Sequence, residues 1–334
     1  MSLFLSINTK IGIIGAGFSA LRAAYLLKKR GFGVTLIEKS GSPGGRMASR
    51  RMDTFSIDHG AQYFTARENI FINQVKKWES QGFVKEWKGR IGEIKDDDFC
   101  FIDSNVKRFV GVPDMRSISC HLAKDLDISY DHAIVSTARR NSLWTLEGNK
   151  TSSTVDFLVI STPPQQALAF LPSSSRLSKT VGSVKLDPCW AVMLTFSRPT
   201  EIPFDAAFVS SSPISWIARN SSKPQRGSIE SWIIHATPKW SSEFFDSPKN
   251  TVVEHLLRAF RKVTKNNSPA PDSTTSHRWR YSICNSPLNC GSLWDPDLKV
   301  GLCGDWCDSL RVEGAFMSGT HLAEKITKSC DIII

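Results

Sequence analysis

Ile11-Gly12-Ile13-Ile14-Gly15-Ala16-Gly17-Phe18-Ser19-Ala20 is the stretch whose reading decides the fold. Lys10 to Ile14 is apolar and β-branched with little alternation, which predicts a buried parallel strand. From Phe18 to Arg30 the apolar residues Ala20, Leu21, Ala23, Ala24, Leu26 and Leu27 recur at helical spacing. Lys28, Lys29 and Arg30 followed by Gly31 predict the helix exit, because basic groups and a glycine suit a helix C-terminus. Val34 to Glu38 reads as the second strand of a βαβ unit. The turn itself matches G-x-G-x-x-G/A. Gly15 permits the tight turn, Gly17 lets backbone approach a pyrophosphate, and Ala20 is small enough for close packing of helix on strand. The free N–H groups of Ser19 and its neighbours at the helix start suit phosphate.

A hexad of this kind is weak alone. Here Glu38 stands 23 residues after Gly15 at a strand end, where a carboxylate can hold an adenosine ribose. Gly41-Ser42-Pro43-Gly44-Gly45-Arg46 follows, with amides able to face an anion and a guanidinium beside them. Near the other end, Val300-Gly301-Leu302-Cys303-Gly304-Asp305-Trp306 reads as a strand delivering a carboxylate suited to a ribityl hydroxyl. Val312 to Gly319 reads as a loop entering a helix whose amides can face a flavin pyrimidine, where negative charge develops on reduction. A nucleotide site assembled from both ends of a chain points to bound flavin rather than to nicotinamide alone. The expected cofactor-binding residues are Gly15, Gly17, Phe18, Ser19, Ala20, Glu38, Lys39, Gly45, Arg46, Met47, Gln62, Tyr63, Ile134, Gly304, Asp305, Val312, Glu313 and Ala315.

Composition narrows the class. With 334 residues, 41% hydrophobic and 22% charged, the chain suits one large or two ordinary globular domains. Apolar runs such as Phe157-Leu158-Val159-Ile160 are strand-sized, so no membrane span is expected. The first residues lack a basic region and a small-residue cleavage site, which argues against a signal peptide and for a cytoplasmic location. Eight scattered cysteines, with no C-x-x-C, are expected to be reduced thiols. Dispersed histidines predict no metal. The net charge of +10 raises nucleic acid as a partner. The basic residues form no run or reader motif, and a field suited to phosphate-bearing small molecules explains the charge equally well, so no nucleic-acid binding is expected.

The expected fold is α/β: a Rossmann-type FAD-binding domain with a second substrate domain on a mostly antiparallel sheet. Residues 1–80, 119–165 and 286–334 are expected to form the discontinuous FAD-binding domain, and 81–118 with 166–285 the substrate domain. Residues 82–118, with the acidic patch Asp96-Asp97-Asp98, look like an insertion of short strands and turns. Ser129 to Ser136 and Val155 to Ile160 read as strands of the first domain. Trp190 to Phe196 and Ser231 to Ala236 read as aromatic strands of the second, with an amphipathic helix near Thr251 to Val263. Pro-, Ser- and Asn-rich breaks at 172–175, 220–224 and 266–274 are expected to be surface loops.

Asp58-His59-Gly60-Ala61-Gln62-Tyr63-Phe64-Thr65 places His and Gln in an apparent strand with two aromatics, which suits either a satisfied core or a flavin ring. His235 and Trp279 also lie in aromatic strands; a lone strand histidine is more often core than catalyst. No G-x-S-x-G elbow, Walker lysine or zinc-protease helix occurs.

In order along residues 10 to 325, several segments resemble bacterial renalases. They are Gly44-Gly45-Arg46-Met47-Ala48-Ser49-Arg50-Arg51, Asp58 to Arg67, Lys185 to Val192, Trp216 to Pro224, Trp232 to Thr237, and Cys303 to Cys307 with Arg311 to Ala315. The resemblance implies the flavin amine oxidase fold and non-covalent FAD. It implies oxidation of the 2- and 6-dihydro isomers of NAD(P) to NAD(P)+, with O2 reoxidising the flavin to give hydrogen peroxide. It places a His and a Trp around the dihydronicotinamide, matching His235 and Trp279 by segment. Gln62, Trp190, His235 and Trp279 are the expected pocket residues. Amine oxidases often carry a lysine near the flavin on the strand matching Trp190-Ala191-Val192-Met193-Leu194, where this chain has none, and an aromatic near Leu310-Arg311, also missing here. An amine or carbocycle oxidase or desaturase, and a flavin-binding protein without turnover, stay open as alternatives. So do the oligomeric state and a flavin link through Cys290 or Cys303.

Overall fold

The first strand forms over Lys10–Ile14 and lies inside a six-stranded sheet. A computed structural model describes residues 9–330 apart from Asp97 and Ser104, so one residue of the Asp96–Asp98 patch, and the first eight residues, lie outside the described residues. The sheet order is Leu293–Asp295, Val300–Leu302, Phe157–Ile160, Lys10–Ile14, Gly33–Ile37, Asp127–Ser129. All neighbours are parallel except the antiparallel edge strand Leu293–Asp295. Lys10–Ile14 therefore stands between the next strand in sequence, Gly33–Ile37, and the distant Phe157–Ile160, and the strand order reverses there. Ligands of open α/β sheets bind at such a switch point, outside the carboxyl ends of the strands.

The helix Phe18–Lys29 packs on the long C-terminal helix Arg311–Ser329. Their contact is close because Gly319 has no side chain: a Cβ there would stand 2.3 Å from the Ser19 carbonyl. Arg22 spans the same seam, donating to Thr320 Oγ1 at 3.0 Å with its guanidinium over Phe316.

The second sheet has seven strands in the order Ser273–Cys284, Leu186–Phe196, Glu230–Ala236, Ile214–Arg219, Ala206–Val209, Ile91–Lys95, Asp98–Phe101. Its one parallel pair joins Ala206–Val209 to Ile91–Lys95. One face buries Trp190, Val192, Leu194 and Trp232 against the helix Lys249–Val263, through Val252, Leu256 and Phe260. The opposite face, with Ala191, Met193, Trp216 and Ile233, joins the core that includes Phe18 and Phe316. Successive strand residues alternate between these faces, and this decides which side chains reach the site.

Four expectations change. Ser129 to Ser136 is not one strand: Asp127–Ser129 ends the six-stranded sheet, while Ile134–Arg140 begins a separate three-stranded meander. Between them Asp131 adopts a positive φ, which breaks the run. Val312 to Gly319 is helix throughout, since Leu310 and Arg311, both at positive φ, already make the turn. Of residues 58–65 only Asp58 lies in a strand, as the last residue of Ser56–Asp58, and the residues after it form a folded loop. Finally, 220–224 is no surface loop: Asn220 and Lys223 are buried, as is Arg226 just beyond.

Candidate functional site

The glycine turn sits at the carboxyl end of Lys10–Ile14. Gly15 takes φ +96°, and its N–H donates to the Ile37 carbonyl at 2.8 Å, closing the turn on the neighbouring strand. Gly17 is the residue before the helix Phe18–Lys29, with no side chain cap on the helix amides. A Cβ on Gly17 would meet no heavy atom within 4 Å, so open space lies beside the helix N-terminus. Glu38 accepts from Ala16 N at 2.7 Å through one oxygen, and from Ser40 N and Oγ at 2.8 and 2.7 Å through the other. It braces the turn and keeps lone-pair capacity for a further donor. Gly44 and Gly45, both at positive φ, close over Gly17. The hydroxyls of Ser119, beside Gly44, and of Thr162, beside Gly15, are buried without partners. An open cradle, an uncapped helix start and two orphaned hydroxyls fit a dinucleotide.

The two ends of the chain meet at one ion pair. Arg46 forks onto Asp305, with Nη2 2.6 Å from Oδ1 and Nη1 3.0 Å from Oδ2. Arg46 also donates to the Ser282 carbonyl at 2.9 Å, and its own carbonyl accepts from Ala61 N at 2.9 Å. The nucleotide loop, the 58–62 loop and the C-terminal segment therefore share one anchor. Gly304 is tied to the long helix through Ser318 Oγ at 3.0 Å.

Other expected cofactor residues are divided. Phe18 and Met47 are core, and Ala20 is fully buried at the helix seam. Ile134 packs against Ile14 and Ile37 near the strand ends, and Lys39 is exposed. Val312 and Ala315 lie in the first turns of the C-terminal helix. Glu313 is engaged with the chain itself, accepting from Arg67 N and Glu68 N at 2.7 and 2.8 Å at the head of the helix Asn69–Ser80.

The seven-stranded sheet presents one row of directly opposed residues: His277, Ala191, His235, Trp216 and Phe208. Ala191 leaves a dip between His277 and His235. Trp279 lies two residues along from His277, on the same face. Trp190 is one residue off this row and faces the other way; its Nε1 donates to the Phe244 carbonyl at 3.0 Å among the helices. That removes Trp190 from the pocket. The parity of a strand, invisible while its faces are unassigned, is the reason.

His235 and Trp279 converge on one atom. The His59 carbonyl accepts from Trp279 Nε1 at 2.9 Å and from His235 Nε2 at 3.2 Å, which places the proton on Nε2. The His59 ring stacks on Trp279, centroids 5.2 Å apart, with His277 edge-on at 4.8 Å. His59 Nδ1 is buried without a partner. Burial pushes His59 down from 6.5 to about 3, helped by His277 and Arg50, and pushes His235 down to about 4. Both imidazoles are neutral at pH 7. Tyr63 lies against Trp87 and Trp216, with centroids 6.2 and 5.7 Å away.

Beneath this wall lies a cluster of which sequence reading named only Gln62 as a site residue. Asp58, fully buried, accepts from Ser49 Oγ at 2.7 Å and Met115 N at 3.0 Å on Oδ1. Lys223 Nζ at 3.1 Å and Arg226 Nε and Nη2 at 3.1 and 2.8 Å donate to Oδ2. Lys223 Nζ also donates to Gln62 Oε1 at 3.0 Å, while Gln62 Nε2 donates to the Asp58 carbonyl at 2.6 Å. Gln62 is thus held at both ends of its amide. The polar composition of 220–224 reads as a loop; only the partner Asp58, about 165 residues before Lys223, explains why Lys223 is inside.

The neutral histidines predict an acid-sensitive fold. In the unfolded chain both return to about 6.5, so between pH 6.5 and about 4 the unfolded state binds more protons. Stability is expected to fall as pH drops through that window, read as a falling urea midpoint from pH 7 to 4.5. A flat profile would contradict the buried neutral placement.

Residues 13–75 match the NAD(P)-binding Rossmann-like domain family, and residues 98–327 the flavin containing amine oxidoreductase family. Hydroxyneurosporene desaturase of Rubrivivax gelatinosus is 40% identical over 58 residues, 17% of this chain and 11% of the relative. Mitochondrial protoporphyrinogen oxidase of Nicotiana tabacum is 42% identical over 77 residues, 22% of this chain and 15% of the relative. L-amino acid oxidase of Cerastes cerastes is 28% identical over 165 residues, 45% of this chain and 30% of the relative. These matches span well under two thirds of the relatives' lengths. Among solved structures, a provisional protoporphyrinogen oxidase from Exiguobacterium sp. 255-15 superposes with TM-score 0.80 at 11% identity, covering 95% of this chain and 98% of that one. Putrescine oxidase bound to putrescine gives 0.75 at 12% identity, covering 96% and 99%. At such identities the likeness concerns the fold.

Proposed function

The chain belongs to the flavin containing amine oxidoreductase family, FAD-dependent oxidoreductases, and on that premise we propose that it oxidises misreduced dihydronicotinamide dinucleotides, the 2- and 6-dihydro isomers of NAD(P), to NAD(P)+. FAD, held non-covalently, supplies the acceptor for the hydride, and O2 serves as the final oxidant with hydrogen peroxide as product. Gly15, Gly17, Glu38, Gly45, Arg46, Gly304 and Asp305 are the residues proposed to hold the cofactor.

The observation that carries the reading is the shared His59 carbonyl. It orients His235 and Trp279 beside a stacked imidazole, while burial keeps His235 neutral. A dihydropyridine gives up hydride without losing a proton. A wall of neutral hydrogen-bonding rings, with neither imidazole poised as a base at pH 7, suits such a substrate. The protein then contributes position and electrostatics while the cofactor carries the redox chemistry.

A second reading is an oxidase or desaturase of an amine or carbocycle. The family match, and relatives that include a hydroxyneurosporene desaturase and an L-amino acid oxidase, favour it. Anaerobic bleaching of the yellow protein separates the two. Bleaching by a dihydronicotinamide isomer supports the first reading, and bleaching by amines alone overturns it.

His235→Ala and Trp279→Phe are each expected to slow flavin reduction by such an isomer while FAD stays bound. Loss of one orienting hydrogen bond costs about 1–3 kcal/mol, roughly five- to a hundredfold in rate. Stopped-flow reduction at saturating isomer measures this. Wild-type rates in both variants would make the two residues structural.

A further inference from the structure

Asp58, Lys223 and Arg226 form a buried group whose charges do not cancel. One carboxylate serves two cations, and all three side chains are fully buried. The groups that act on Lys223 are Asp58 and Arg226; the cation in turn acts on His235, and its ammonium lies 5.6 Å from the centre of the Trp87 ring. Arg50 adds positive potential at His59 and His277, and Lys249 at His277. Arg108 lies over Tyr63. Two other carboxylates stand near the site: Asp305 is paired with Arg46, and the buried Asp114 accepts from Ser117 N and Oγ. Among the described residues no carboxylate other than Asp58 is ion-paired with Lys223 or Arg226, so one positive charge of this group is left over beside Gln62 and near His235. Charges out of water act over longer range and at greater strength than exposed ones.

We propose that Lys223, anchored to Gln62 and sharing Asp58 with Arg226, is a specificity-determining residue that makes this pocket favour ligands bearing negative charge over cationic ones of the same shape. The proposal rests on taking the His59–His235–Trp279 wall as the substrate side. Complementary charge sets preference between similar ligands, and like charge excludes. Phosphate- or carboxylate-bearing substrates fit; a protonated amine must first lose its proton. Burial pushes the Lys223 ammonium down from 10.5 to about 8, so the preference fades as pH rises through that range.

The test uses the flavin-loaded full chain with benzoate, benzamide and benzylammonium, titrated by the change in flavin absorbance. At pH 7 benzoate is expected to bind at least about tenfold more tightly than benzylammonium, with benzamide between. Lys223→Met is expected to shrink the benzoate-to-benzamide ratio about tenfold. Where that variant fails to fold or retain FAD, wild type decides. Benzoate and benzamide keep their charges from pH 7 to about 9.5, so a falling benzoate advantage through about pH 8 reports Lys223. Equal binding of benzylammonium at pH 7, no benzoate binding, or a ratio that is flat with pH and unchanged in Lys223→Met overturns the proposal. Failure of dihydronicotinamide isomers to bleach the flavin would overturn the proposed substrate and leave this readout standing.

Discussion

Gly17→Val is expected to yield a folded protein that carries no FAD. The two halves of that result have separate causes. Gly17 has φ −68°, an ordinary conformation for any residue, and a Cβ there meets no protein atom within 4 Å. The protein therefore has no steric objection to a side chain. The cofactor does, because the space that valine enters is the space beside the uncapped helix amides where a pyrophosphate approaches. Flavin absorbance after desalting should be lost while the far-ultraviolet circular dichroism is retained. Gly15→Ala makes the contrast. At φ +96°, with a Cβ only 3.0 Å from the Ser161 carbonyl, it strains the backbone itself and should lower stability even without cofactor. Full flavin loading of Gly17→Val would displace the cofactor from this turn.

Asp58→Asn is expected to be the most destabilising single change at the site. It strands two buried cations and weakens the acceptor for five donors. Removing one partner of a buried pair costs about 3–5 kcal/mol, because the remaining charge stays out of water. For a chain of 334 residues, at about 2.1 cal/mol/K per residue of unfolding entropy, that is roughly 4–7 °C in Tm. Lys223→Met should cost much less, since it leaves Asp58 and Arg226 as a neutral pair. Scanning calorimetry of the two variants gives the order, and a greater loss for Lys223→Met would contradict it. The same donors hold the Asp58 carboxyl well below its ordinary 3.8, so its contribution is present above that value and is lost only in stronger acid. The histidines, not Asp58, should therefore open the acid transition.

Much of the nucleotide half is legible in the sequence. The βαβ opening, the Gly15–Ala20 turn and Glu38 at its strand end are local patterns, where a few neighbouring residues settle the conformation. The pairing of Arg46 with Asp305 is not legible there, although each residue stands out by itself. Each side chain suits an anion or a hydroxyl on its own, and only proximity across 259 residues makes them partners. Trp190 shows the same limit in a strand. Its aromatic character marks a packed sheet, but not which face packs on helices and which on the site.

The sequence by itself determined the opening strand–helix–strand unit, the dinucleotide turn and the α/β class, because these follow from backbone propensity, side-chain period and glycine placement within short windows. Only the tertiary structure decided that Asn220, Lys223 and Arg226 are buried, that Lys223 grips Gln62, and that His235 and Trp279 meet at one carbonyl. A lysine reads as surface until a buried carboxylate is brought to it, since burial of charge is tolerated only with a partner. Asp58 is that partner, and nothing in the residues around position 223 announces it.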